Sequence, residues 1–309
     1  MNRRVFIRAA AGATVISALP SAAPGNTSPS GTQLGTAWIC AGCGTQYPVS
    51  SQAPSECPIC QDSRQYVSWT GQNWTTQELL SQTHRNTISE EEPGLYSIHT
   101  QPDFAIGERA FLVKTPRGNI LWYCVALLDE ATKTEVRRLG GIAAIAISHP
   151  HYYTTMVEWS RAFGNAPIYL HELDRKWIAR PDPSIRFWSG ETKPLPGAVT
   201  LVRTGGHFDG FQVMHWSCPS DGKGVLLAGD QPEVCMDRKW VTFMYSYPNY
   251  IPLNRCAIEG IVAALKPFSF DRLHAAFPGR VLNQNAKETV TRSADRYIQA
   301  ISELAVRSS

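Results

Sequence analysis

Residues 142–155 read "IAAIAISHPHYYTT": an apolar run, two histidines on either side of Pro150, then two tyrosines and two threonines. An unbroken apolar run of this length predicts a buried strand. His149 and His151 leave that strand one residue apart, a spacing at which two imidazoles can reach one metal ion. By itself the pair fits two hydrogen-bonded loop histidines equally well, so the reading depends on what the rest of the chain offers.

Working outward, residues 109–128 ("RAFLVKTPRGNILWYCVALL") read as a hairpin around a Pro/Gly/Asn turn, and 129–141 as a helix capped by Asp129 and stopped by Gly140. Residues 154–164 read as a second helix, and 166–171, 197–206, 211–217 and 224–230 as strands. Helical patterns cover 253–268 and 286–306, with a strand and turn at 271–279 between them. Hairpins mixed with crossovers predict a layered α/β domain, two packed sheets with helices outside, over residues 95–309.

Three strand exits carry further chemistry. "RTGGHFDG" (203–210) places His207 behind two glycines, "GVLLAGDQ" (224–231) ends on Asp230, and "LHAAFPGR" (273–280) turns at Pro278-Gly279 into Arg280. Strand exits of a layered fold converge on one edge, and three imidazoles with a carboxylate make a plausible zinc shell. The aromatic run 243–250 ("FMYSYPNY") is a candidate pocket wall or a piece of ordinary packing.

The amino-terminal part is of another kind. Residues 40–60 ("CAGCGTQYPVSSQAPSECPIC") hold Cys40, Cys43, Cys57 and Cys60 as two C-x-x-C pairs. Each pair forms a turn that points two thiolates at one ion, and a module of 37–67 lacks the apolar mass to fold without a metal. Two disulfides are the alternative, and zinc and iron both suit four thiolates. The remaining Cys124, Cys218, Cys235 and Cys256 have no ligand spacing. Residues 68–94 are expected to be a connector in which Thr75 or Thr76 caps a short helix.

The chain opens "MNRRVFIRAAAGATVISALPSAAPG", with a basic tip, a modest apolar stretch and small residues at Ser21-Ala22-Ala23. That is the layout of a cleaved leader over 1–23, followed by a Pro/Gly/Ser/Thr-rich linker at 24–36. Removing Arg3, Arg4 and Arg8 leaves 26 basic against 26 acidic residues. A neutral body gives little electrostatic reason to expect nucleic acid or an anionic membrane as a partner. No later stretch reaches the ~18 apolar residues of a membrane span, so stable membrane insertion is not expected.

Together these motifs resemble known families. The leader "NRRVFIR" is similar to the twin-arginine export motif, which implies the export machinery as a partner and a periplasmic or extracellular location. Cys-x-x-Cys-Gly and Cys-Pro-x-Cys resemble rubredoxin knuckles. The order of His-x-His after a strand, Gly-Gly-His, a strand ending Gly-Asp and a closing Pro-Gly turn resembles the metallo-β-lactamase fold, a four-layer αββα sandwich. That family's first motif is His-x-His-x-Asp-His. His149, His151 and His207 match one metal's ligands and Asp230 the bridging carboxylate, whereas Tyr153, Thr154 and Arg280 stand where three ligands of a second metal would be.

The resemblance therefore implies a mononuclear metal-dependent hydrolase, on the family pattern a zinc enzyme acting on an ester, amide or thioester of a small molecule. Zinc would make hydroxide available near neutral pH. Asp230 is the expected proton acceptor, Tyr153 the expected oxyanion donor, and Arg280, which cannot ligate, the expected counter-charge to Asp230. Two other readings stay open: a metal-binding protein without turnover, and a redox protein using Cys-bound iron.

Overall fold

The computed structural model describes residues 35–306 apart from Cys218. The expected leader and most of the expected linker, at 1–34, lie outside the described residues, as does Cys218.

The chain begins with a small antiparallel sheet of β1 (Thr36–Cys40), β2 (Gln46–Ser50) and β3 (Trp74–Thr75), with the short helix α1 (Pro58–Gln61) beside it. Thr76 accepts from Leu79 N and caps α2 (Gln77–Thr83). Two larger sheets follow. The first has seven strands, β4 (Arg85–Glu92), β5 (Leu95–Gln101), β6 (Arg109–Val113), β7 (Ile120–Trp122), β8 (Ala144–Ala146), β9 (Ile168–His171) and β10 (Ile185–Trp188), paired in that spatial order. β4 through β7 are antiparallel and β7 through β10 parallel. Each parallel step needs a crossover; α3 (Glu130–Arg138) and α4 (Met156–Ala162) serve the first two. Asp129 caps α3 by accepting from Thr132 N at 2.8 Å, as its sequence indicates.

The second sheet contains β11 (Thr192–Leu195), β12 (Val199–Arg203), β13 (Gln212–Trp216) and β14 (Val225–Gly229). After two small ribbons, β15 (Glu233–Val234) with β16 (Val241–Thr242) and β17 (Met244–Ser246) with β18 (Ile251–Pro252), the chain enters α5 (Arg255–Leu265). It then completes the sheet with β19 (Arg272–Ala275) and β20 (Val281–Leu282) before α6 (Ala286–Val306).

β14 shows how the layers form. Val225 and Leu227 join the core shared with Leu95, Phe111 and Trp122 of the first sheet. Their neighbours Leu226 and Ala228 join a second core with Ile258 and Ile261 of α5 and Val290 and Ala294 of α6. Alternate side chains of a strand face opposite ways, so one five-residue apolar strand feeds two cores. On the far side, Val136 of α3 and Trp159 of α4 pack on the first sheet. The result is helices, sheet, sheet and helices: the four-layer αββα sandwich implied by the sequence resemblance.

One expected boundary changes. Residues 85–92 were expected in the connector, yet β4 pairs along its length with β5. Its sequence, "RNTISEEE", has a single apolar residue, Ile88. An edge strand needs few buried side chains and is protected by charge, which is why hydrophobic pattern passes over it. Among the described residues, no helix is long and apolar enough to cross a membrane.

Candidate metal centre

β8, β12 and β14 deliver the site. His149 and His151 flank a single 3-10 turn, Pro150–Tyr152, after β8; His207 follows β12; Asp230 follows β14 directly. Gly229 makes that last exit possible. It has φ +67°, and a Cβ there would lie 2.6 Å from Tyr123 Oη. Glycine alone among residues takes this conformation without cost and adds nothing to the crowding.

The four side chains bring one donor atom each within 4.8 Å of all the others, and all four residues are buried. Asp230 Oδ2 lies 3.3 Å from His149 Nε2, 3.8 Å from His207 Nε2 and 4.0 Å from His151 Nδ1. His207 Nε2 and His151 Nδ1 are 3.4 Å apart. The Met244 carbonyl, 3.0 Å from His207 Nδ1, can only accept. That fixes the proton on Nδ1 and leaves the Nε2 lone pair facing the cluster. Ser148 Oγ holds His149 Nδ1 at 2.8 Å.

Burial pulls His149 down to about 4 and His207 well below its ordinary range, so both are neutral imidazoles at pH 7. Burial pushes the Asp230 carboxyl up, but the imidazoles beside it, His149 foremost, with His151 and His207, outweigh burial and hold the group well below the usual carboxylate range. His149 Nε2 is buried without a hydrogen-bond partner. An orphaned ring nitrogen is costly in a protein interior, and a cation at the centre of these four donors would satisfy it. Three imidazoles and a carboxylate suit a borderline-soft divalent ion such as zinc.

The four module cysteines make a second cluster of the same compactness. Cys40 and Cys60 Sγ are 3.6 Å apart, as are Cys43 and Cys57 Sγ. A tetrahedron of thiolates about 2.3 Å from its ion has edges of about 3.8 Å. All four are free cysteines, so the disulfide alternative is set aside, and Gln72 Nε2 donates to Cys40 Sγ at 3.1 Å. Cys124, Cys235 and Cys256 are also free.

Tyr153, the expected oxyanion donor, Thr154, and Arg280, the expected counter-charge to Asp230, stand away from the cluster. The hydroxyl that donates to Asp230 Oδ1 belongs to Tyr152, not Tyr153. The turn at Pro150 carries Tyr153 to the opposite side, where it lines a small cavity with Gln46, Met156 and Arg180. Thr154, at φ +32°, donates to the Cys124 carbonyl at 2.7 Å, while its own carbonyl accepts from Gln46 of the cysteine module at 3.0 Å. Arg280 reaches the Val234 carbonyl at 3.4 Å and Glu233 Oε1 at 4.0 Å. Its charge therefore serves Glu233 rather than Asp230, which already has three imidazoles and a phenol around it.

A cavity of about 230 Å³ opens on the cluster, lined by His151, His207, Asp230, Tyr247, Pro248 and Phe277, and by Gly42, Arg64, Gln65 and Tyr66 of the cysteine module. Tyr247, from the aromatic run, donates to the Asp230 carbonyl at 2.6 Å. Sequence reasoning passed over Arg64, Tyr152 and Phe208, whose ring centroid is 5.4, 5.0 and 5.3 Å from those of His149, His151 and His207. Only the position of Phe208 beside His207 hinted at it. The other histidines have local structural partners. His171 lies 3.1 Å from the Gly190 carbonyl, His215 2.8 Å from the Ser269 carbonyl, and His274 2.8 Å from Glu92.

No family model matches the chain. Among solved structures it is similar to a B3 metallo-β-lactamase with an active-site glutamic acid, at 18% identity and TM-score 0.46 over 70% of this chain and 91% of that one. It is similar also to metallo-β-lactamase SMB-1, solved in a complex with mercaptoacetic acid, at 17% identity and TM-score 0.49 over 69% and 95%. A curated relative is much nearer in sequence: 50% identity over 266 residues, covering 85% of this chain and 96% of the relative. The chain thus belongs to the family of the Bacillus subtilis (strain 168) protein described as "Uncharacterized protein YmaE".

Proposed function

We propose that the protein is a metal-dependent hydrolase with one metal in the histidine cluster, acting on an ester, amide or thioester of a small molecule. The observation that carries this reading is the convergence of three buried imidazoles, two of them (His149 and His151) with an orphaned Nε2, and one carboxylate beside a cavity. His149, His151, His207 and Asp230 would hold the ion. When bound, a divalent metal supplies Lewis acidity, polarising an acyl carbonyl and acidifying water.

The chain's own residues supply the rest. Tyr152, donating to Asp230 Oδ1, turns Oδ2 toward the imidazoles. His207 is held by Met244, and His149 by Ser148, so neither ring has to reorganise. Tyr247 and Phe277 help exclude bulk water from the cavity. In the cysteine module, a zinc or iron ion would hold the cavity's other wall in place. Export by the twin-arginine machinery, to the periplasm or beyond, belongs to the same proposal and is supported by Arg3, Arg4, Phe6, Ile7 and Arg8.

Elemental analysis of the full chain tests the reading. Two metal equivalents are expected in the wild type and one in a His149→Ala/His207→Ala variant, with loss of hydrolysis of p-nitrophenyl acetate and of an acetyl thioester. Three equivalents in the wild type would overturn the single-metal site. Hydrolysis unchanged in the double variant would overturn catalysis at this cluster.

A further inference from the structure

Among the described residues, Arg64 is the one lysine or arginine on the wall of this cavity. Its guanidinium carbon sits 4.1 Å from the Phe208 ring centroid, 5.0 Å from that of Tyr245 and 5.7 Å from that of Trp177. Phe208 is also the ring against which all three imidazoles pack. One aromatic side chain thus separates the guanidinium from the metal centre.

The backbone around Arg64 is tied to the hydrolase domain. Ser246 Oγ donates to the Arg64 carbonyl at 3.0 Å, and Asn249 Nδ2 donates to the Ser63 carbonyl at 3.0 Å and the Gln65 carbonyl at 3.2 Å. Ser63 Oγ and Tyr245 Oη are 2.8 Å apart. The side chain is less well served. Arg64 Nε and Nη1 are buried without a hydrogen-bond partner, and the nearest acid, Asp62 Oδ1, stands 3.4 Å from Nη1. A guanidinium set against aromatic rings at the wall of a cavity is prepared for an anion, which it can engage by a charge-assisted hydrogen bond.

We propose that Arg64, supplied by the cysteine module, receives a carboxylate of the substrate, so that the substrate class is a small acyl compound bearing a carboxylate beside its scissile bond. The cysteine module then has a role in specificity as well as in folding. This inference rests on the reading of the histidine cluster as a metal centre.

Two thiols separate the inference from that reading. 3-Mercaptopropionate and 3-mercapto-1-propanol offer a metal the same sulfur and differ in their far end. Calorimetric titration of the metal-loaded full chain is expected to show the acid binding about ten-fold tighter or more, as a charge-assisted contact requires. Arg64→Gln should bring the two thiols within about two-fold of each other, with the alcohol's affinity unchanged; Arg64→Lys should keep part of the preference. Far-UV circular dichroism and retention of the cysteine-bound metal check that both variants fold. Equal binding of the two thiols by the wild type, or a preference that survives Arg64→Gln, overturns the role of Arg64 and leaves the metal centre standing. Binding of neither thiol overturns the metal centre and the inference with it.

Discussion

Tyr152 donates its phenol proton to Asp230 Oδ1, joining residues 78 positions apart, while Tyr153 next to it faces Gln46 and Arg180. Burial and the Asp230 charge push the Tyr152 phenol well up, so it remains the donor throughout the working pH range. Partners that orient ligands this way commonly account for 10–100-fold in metal affinity. Tyr152→Phe is therefore expected to weaken metal binding at the histidine cluster by about 10-fold or more. Tyr153→Phe should leave it within about two-fold. Competition against a chelator of known affinity measures both, and equal effects would refute the assignment.

The cysteine cluster makes a separate prediction. Gly42, Arg64, Gln65 and Tyr66 line the cavity, so loss of an ion from the module should disturb the histidine cluster at a distance. Cys57→Ser removes one of four thiolates. Binding free energy at a structural site is folding free energy, and the melting temperature is expected to fall by more than ~10 °C. A variant that keeps the wild-type melting temperature would show that the module folds without its ion.

Glu108 gives the pH dependence. It is buried, its Oε2 has no hydrogen-bond partner, and burial pushes its carboxyl up to about 8. Because the folded state holds this proton more tightly than the unfolded chain, the stabilising contribution is full at low pH and is lost as pH rises toward about 8. Relative to Glu108→Gln, which cannot titrate, the wild type should lose up to ~1.4 kcal/mol per pH unit in the middle of that window, tapering off near about 8. Urea unfolding of both proteins between pH 5 and 9 measures the difference, and parallel curves would contradict it.

Gly229 tests the strand exit. Its φ of +67° disfavours any side chain, and an added Cβ would stand 2.6 Å from Tyr123 Oη and 3.2 Å from Ser148 Oγ. Gly229→Ala is expected to cost on the order of 2 kcal/mol or more. It should also lower metal occupancy at the histidine cluster, since Asp230 and the partner of His149 are both displaced. Denaturant unfolding with metal analysis on the same samples checks both; unchanged values would mean the backbone relaxes freely there.

The sequence by itself determined a good deal. Apolar runs mark β8 and β14, and the cap at Asp129 and the paired C-x-x-C turns act over a few residues, so one stretch of chain contains them whole. The identities of His149, His151, His207 and Asp230 follow from strand exits carrying the same kind of chemistry. What the tertiary structure decided lies between segments. Whether Tyr152 or Tyr153 faces Asp230 depends on the rotation of one turn at Pro150, which no spacing records. Arg280 stands 4.0 Å from Glu233 instead of beside Asp230, and pattern cannot show which carboxylate a guanidinium will meet. The backbone around Arg64 is held at the cavity by hydrogen bonds from Ser246 and Asn249, about 180 residues away, and only folding sets such contacts. In "SHPHYYTT" the histidines were legible because their chemistry is intrinsic to the residue, whereas the roles of the residues after them depend on what the fold places opposite.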